Sequence, residues 1–241
     1  MQDIPFYDFG GSGPLIHFAH PNGFPAETFH RFAGEFTDQY HMIGMNARPM
    51  WPGSNPAELT GWDMFADDLI TFLDSQGAKN IIGMGISLGG VITMYAALKR
   101  PDLFSKLVLI EPVFLPWSII LSSKFVPRPV LEKRSPAGAA KRRRDVHPSR
   151  QQAFDRWRQK RAFKRYSDDT LWDYVNYGLV DQVDGSVTLR FPKAWEAEIF
   201  SRPPMVWPKI SQITHPTLGI RGKKTDVLFE KQWGMWQRKQ P

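Results

Sequence analysis

The chain has 241 residues, 42% of them hydrophobic and 23% charged, a composition that suits one sizeable folded domain and excludes wholesale disorder. It contains no cysteine, which excludes disulfides, thiolate nucleophiles and zinc-thiolate sites and agrees with a reducing compartment. The formal charge is +7, and no apolar run approaches the ~20 residues of a membrane-spanning helix. The opening residues Met1-Gln2-Asp3-Ile4-Pro5 carry neither the basic nor the apolar part of a secretory signal, so a cytoplasmic location is expected.

In chain order, the first buried strand is expected at Leu15-Ile16-His17-Phe18-Ala19. It runs into the loop His20-Pro21-Asn22-Gly23-Phe24-Pro25, where Gly23 allows a substrate close to the backbone. A second apolar run is Met42-Ile43-Gly44-Met45. Trp62, Phe65, Leu69, Phe72 and Leu73 then recur at helical spacing, with Asp63, Asp67, Asp68 and Asp74 on other faces. Further apolar runs follow at Ile81-Ile82-Gly83-Met84, Leu107-Val108-Leu109-Ile110 and Thr217-Leu218-Gly219-Ile220. Continuous apolarity is expected of strands covered by helices on both faces, so the pattern predicts an α/β fold with a mostly parallel sheet. Its functional loops should lie at the carboxyl ends of the strands.

Between the third of these strands and the helical run Gly90 to Leu98 stands Gly85-Ile86-Ser87-Leu88-Gly89. A G-x-S-x-G turn between strand and helix is a nucleophile elbow: the turn is so tight that the serine is strained and its hydroxyl projects outward, with Gly85 and Gly89 leaving room for the crossing. A serine hydroxyl needs a base to take its proton and fixed dipoles to receive the oxyanion. The backbone N–H groups of Phe24 and Leu88 are the expected oxyanion donors. His20 lies on the oxyanion side of the site, where bracing the turn through hydrogen bonds is the better expectation than acting as the base.

After Glu111-Pro112 the alternation stops until His215-Pro216. The intervening stretch is helical in pattern, broken by proline and more polar, with Pro112, Pro116, Pro127 and Pro129 marking its entry and Pro203, Pro204 and Pro208 its exit. It reads as an inserted helical cap: residues 1–112 form the first part of a core, 113–212 the cap, and 213–241 an incomplete second part of the core. From Lys141 to Arg165 there are eleven Lys or Arg against two Asp, so the positive charge is local. A solvated helix face packed through Phe154, Trp157 and Phe163 is the preferred reading, with nucleic acid disfavoured and one arginine reaching an acidic substrate left open. Aromatic residues of the cap, including Trp172, Tyr174, Tyr177, Trp195 and Phe200, are expected to pack cap on core and in part to line an apolar pocket above Ser87.

On the His20-to-Pro25 loop, the Gly85-to-Gly89 elbow and Gly222-Lys223-Lys224-Thr225-Asp226 after the last strand, the chain resembles the α/β-hydrolase superfamily, in its capped, esterase-like serine-hydrolase branch. The resemblance implies Ser87 as nucleophile and an acid at the position of Asp226, which would hold a histidine in its productive tautomer. The bland alternative for Asp226 is a helix N-cap before Val227. Glu111 is the alternative acid. The resemblance also implies a histidine beyond the acid, and none follows His215. The catalytic base is thus absent from the sequence, and truncation before the last strand and helix of the family is the expected cause. Asp-nucleophile relatives such as epoxide hydrolases are disfavoured by Ser87. The sequence predicts hydrolysis of a small, rather apolar ester-like substrate, with no metal or organic cofactor, and leaves a homo-oligomer open. A chain without its base should be nearly inactive. A carbon–carbon bond hydrolase or cofactor-free haloperoxidase-like enzyme would use the same triad, and a non-catalytic anion- or nucleic-acid-binding module would use the basic cap.

Overall fold

The computed structural model describes residues 4–240 apart from 128, 129, 131, 132 and 134. Met1 to Asp3 and Pro129, named above, and Pro241 lie outside the described residues. The strands are β1 (Phe6–Gly10), β2 (Leu15–Ala19), β3 (His41–Met45), β4 (Ile81–Ile86), β5 (Phe104–Ile110), β6 (Val146–His147), β7 (Leu179–Asp181), β8 (Val187–Leu189) and β9 (Thr217–Ile220). The α-helices are α1 (His30–Gly34), α2 (Asp63–Ser75), α3 (Leu88–Lys99), α4 (Trp117–Phe125), α5 (Pro136–Lys141), α6 (Arg150–Arg158), α7 (Asp168–Gly178), α8 (Lys193–Ser201) and α9 (Glu230–Lys239).

Among the described residues, six strands form one sheet in the order β1-β3-β2-β4-β5-β9. All neighbours run parallel except β1, which pairs antiparallel with β3 and had no counterpart among the apolar runs of the sequence. The mostly parallel α/β sheet is therefore as expected. Its central strand β4 leads directly into α3, whose residues Leu88 to Ala97 are all buried. A helix apolar all round belongs in an interior, and this one is packed between α2 and the sheet.

Helix α2 buries Phe65, Leu69, Phe72 and Leu73 as its periodicity requires. Asp68 departs from expectation: it is 5% exposed rather than solvated. The guanidinium of Arg48 reaches it from the segment after β3, with Nε donating to Oδ2 at 2.9 Å. A buried carboxylate is tolerable only when a donor set of this kind replaces its water.

The segment between β5 and β9 is not purely helical. Strands β6, β8 and β7 make a small antiparallel sheet there, with β8 in the middle. These strands are two or three residues long, too short to show a period of two in sequence. Trp157, Leu171, Tyr174 and Leu189 form a core of their own under this part. Phe114, Trp195, Ile199 and Trp207 instead join the main core with Phe65 and Leu109.

Strand β9 is an edge of the sheet. Trp236 of α9 lies over Gly219 on one face, while Leu218 and Ile220 on the other are 57% and 41% exposed.

Candidate active site

The elbow has the backbone its sequence demands. Ser87 sits at φ 56° and ψ −113°, outside the regions an L-residue ordinarily occupies. Its N–H is held by the carbonyl of Ile110 at 3.0 Å. A Cβ on Gly85 would fall 2.4 Å from the carbonyl carbon of Gly89, and one on Gly89 would fall 2.0 Å from the carbonyl oxygen of Ala19. The two glycines thus serve different contacts: Gly85 lets the strand pass the helix, and Gly89 lets the first turn of α3 touch the end of β2.

The loop after β2 is anchored from several sides. His20 donates from Nδ1 to the carbonyl of Pro21 at 2.9 Å and accepts the Ala47 N–H at Nε2, 3.0 Å. Both ring nitrogens are engaged in the neutral form, which burial favours. Burial pushes His20 down from its ordinary 6.5 to about 4, against the opposing pull of the Pro21 carbonyl and Glu27 and with Arg190 acting alongside it. Asn46, fully buried, accepts the Ala26 N–H at 3.0 Å and donates to Glu27, which also receives Arg190 at 2.9 Å. Gly23, at φ 83°, lies against the carboxylate of Glu196, whose Cδ would be 3.2 Å from a Cβ there. Arg143 pairs with that carboxylate at 2.9 Å and also donates to the Tyr174 hydroxyl. Tyr174 in turn donates to the Gly23 carbonyl at 3.0 Å. Sequence gave no sign of Asn46, Glu27, Arg143, Tyr174 or Glu196 in this role, because each reaches the loop from a distant element.

Ser87, Leu88, Asn22 and Asp226 line one cavity of about 320 Å³, together with Val113, Leu115 and Ile119. Neither a lysine nor an arginine is among its described lining residues. Leu88 begins α3, so its N–H belongs to the unpaired set at a helix N-terminus, where the helix dipole is positive. The Phe24 N–H faces the Pro21 carbonyl at a long 3.4 Å, and the Phe24 ring lines a neighbouring cavity instead. Asn22, not singled out in the sequence, is 8% exposed, donates from Nδ2 to the Glu196 carbonyl at 3.1 Å and has a buried Oδ1 without a partner among the described residues.

Asp226 and Glu111 have different surroundings. Asp226 is exposed and faces the Ser87 cavity with no hydrogen-bond partner among the described residues. Glu111, at φ 49°, accepts the Gly222 N–H and the Thr225 hydroxyl. The same hydroxyl oxygen accepts the Val227 and Leu228 N–H groups, each at 3.2 Å. Glu111 therefore holds the loop that carries Asp226.

None of the chain's six histidines lines the Ser87 cavity. His17 accepts the Met45 N–H, and burial followed by the charge of His20 lowers it to about 3. His30 contacts Glu27 and Asp173, His41 binds Asp8, and His215 meets the Pro101 carbonyl. His147 is buried against Trp157. Among the described residues no group of three or more His, Cys, Asp or Glu is arranged to hold a metal, and no helix is long and apolar enough to cross a membrane.

Residues 18–238 match the model of the alpha/beta hydrolase family. The strigolactone esterase D14 of Arabidopsis thaliana is 33% identical over 114 residues, covering 44% of this chain and 42% of that protein. Ethanol acetyltransferase 1 of Hanseniaspora uvarum is 25% identical over 181 residues, covering 70% of this chain and 53% of that protein. These matches take in less than two thirds of either relative's length. The crystal structure of an E-2-(acetamidomethylene)succinate hydrolase superposes with a TM-score of 0.78 at 21% identity, covering 99% of this chain and 83% of that one. A parallel sheet with the strained serine at the carboxyl end of its central strand, together with a family match over nearly the whole sequence, means that this chain belongs to the alpha/beta hydrolase family.

Proposed function

We propose that the chain carries the acylation half of a serine esterase site, and that the strained elbow at Ser87 opening into an apolar cavity is the observation that supports it most. Ser87 Oγ attacks the ester carbonyl, and the oxyanion is received by the N–H groups of Leu88 and Phe24. The Ser87 proton leaves with the alcohol, and water then releases the acid and restores the hydroxyl. Phe24 serves once its N–H turns from the long contact with Pro21 toward the substrate. Asp226 is the acid that would orient a histidine, and Glu111 positions its loop. The segment 113–212 acts as the cap, supplying Leu115 and Ile119 to the cavity.

The cavity lining favours an uncharged, apolar group next to the scissile bond. The likeness to a strigolactone esterase supports ester cleavage as the reaction class. With no histidine at the cavity, turnover should fall several powers of ten short of a complete triad.

The test is covalent labelling with a fluorophosphonate and hydrolysis of p-nitrophenyl acetate, with and without added imidazole as an external base. The expected result is slow labelling of Ser87, accelerated by imidazole and abolished in Ser87→Ala. Labelling that survives Ser87→Ala overturns the nucleophile. Rapid turnover without imidazole, lost in Ser87→Ala, overturns the absence of a base.

A further inference from the structure

Beside the Ser87 cavity lies a second one, of about 530 Å³, with the opposite chemistry. The two share Pro136 and Phe200 as a common wall. The inner surface of the second is aromatic. Trp157 and Tyr174 are 4% and 1% exposed, with ring centroids 4.9 Å apart, and Phe163 stacks on both at 6.0 and 5.3 Å. Around them stand Arg142, Arg143, Arg144, Arg156 and Lys160.

Of these, Arg143 is neutralised by Glu196 and also donates to the Tyr174 hydroxyl. Arg142, Arg144, Arg156 and Lys160 have no carboxylate partner among the described residues. Elsewhere in the same basic stretch, Arg150 and Arg158 are paired with Asp181 and Asp168. Arg161, Lys164 and Arg165, farther along the stretch, likewise have no carboxylate partner among the described residues, but they do not line the cavity. Like charges around a concave surface focus a positive potential on its interior. His147 responds to that field: burial first, then Arg144, Arg156 and Arg143, holds its imidazole below the ordinary value.

We propose that this cavity is a binding site for a planar aromatic or conjugated polyanion, its ring against Phe163 and Phe200, the accessible aromatic residues of the lining, and its carboxylate or phosphate groups on Arg142, Arg144, Arg156 and Lys160. The aromatic faces reward a flat ligand, and the unpaired guanidinium groups form charge-assisted hydrogen bonds with its anionic groups. An extended nucleic-acid strand would draw on the whole basic stretch, including Arg161 and Arg165. A compact ligand draws only on the cations at the cavity. The site does not depend on the chemistry of Ser87.

Benzene-1,3,5-tricarboxylate is the probe, followed by Trp fluorescence and calorimetry on the full chain. Cyclohexane-1,3,5-tricarboxylate carries the same charge without the flat ring and should bind about threefold to tenfold more weakly. Substituting both Arg144→Gln and Arg156→Gln, at exposed positions, should weaken the aromatic probe about tenfold or more. Replacing Arg161→Gln and Arg165→Gln removes as much charge away from the cavity and should leave binding unchanged. Ser87→Ala should also bind normally, which separates this site from the hydrolase reading. Equal affinity for the two tricarboxylates, equal loss in both charge variants, or preferential binding of duplex DNA lost equally in both would overturn the proposal.

Discussion

At Gly89 a single missing methyl joins the nucleophile to the oxyanion loop. The first turn of α3 lies so close to the end of β2 that a Cβ would stand 2.0 Å from the Ala19 carbonyl oxygen and 2.9 Å from that of His20. Both neighbours are backbone, and His20 is tied to Ala47 and Pro21, so neither side yields through a flexible side chain. Gly89→Ala should cost about 3 kcal/mol or more of stability, the upper range for overpacking a tight interior. Urea denaturation measures this, and a loss below ~1 kcal/mol would show that the crossing is looser than the geometry requires. Gly23 is occupied differently, because its neighbour is the Glu196 carboxylate held by Arg143.

Among the elements, β9 is the exposed one. Burial alternates along it, with Thr217 and Gly219 partly covered by the α9 side and Leu218 and Ile220 bare. An edge strand with apolar side chains and no charge or proline among Thr217, Leu218, Gly219 and Ile220 is a template for pairing with another copy. Concentration-dependent self-association is therefore expected of the 241-residue polypeptide. Leu218→Lys should suppress it without loss of secondary structure, as read by light scattering and circular dichroism. Association unchanged by Leu218→Lys would move its origin elsewhere, for example to Trp117, Leu121 and Phe125 of α4, which are also exposed.

For the whole molecule, the buried imidazoles set the response to acid. His17 and His20 titrate at about 3 and about 4 in the folded chain, chiefly because burial disfavours their charged forms, against an ordinary 6.5 once unfolded. Between these values the unfolded state binds more protons. Stability is therefore full above pH 6.5, declines as pH falls below it and levels off near the folded values. Each histidine contributes a slope of roughly 1.4 kcal/mol per pH unit in that window. The urea midpoint should drop clearly from pH 7.5 to pH 5, before most carboxylates titrate, and an unchanged midpoint would mean that the two rings are solvated.

What was legible in the amino-acid order was local. Apolar runs marked β2, β3, β4, β5 and β9, because strands buried on both faces leave continuous stretches. Gly85-Ile86-Ser87-Leu88-Gly89 marked the elbow, because the strain of one turn dictates its own glycines. Strand β1, the small sheet and the burial of Asp68 were not legible, since pairing partners and burial depend on residues far along the chain. The site divides in the same way. Ser87 and Leu88 come from one turn and were readable together, whereas the meeting of Asp226 with Asn22 at one cavity, the hold of Glu111 on the Asp226 loop and the Arg143-Tyr174-Gly23 chain each join separate elements. The sequence by itself determined the fold class and the strained serine. Only the tertiary structure decided that the positive charge gathers around an aromatic cavity beside a largely apolar one, because a charge acts over distances in space that its position in the chain does not encode.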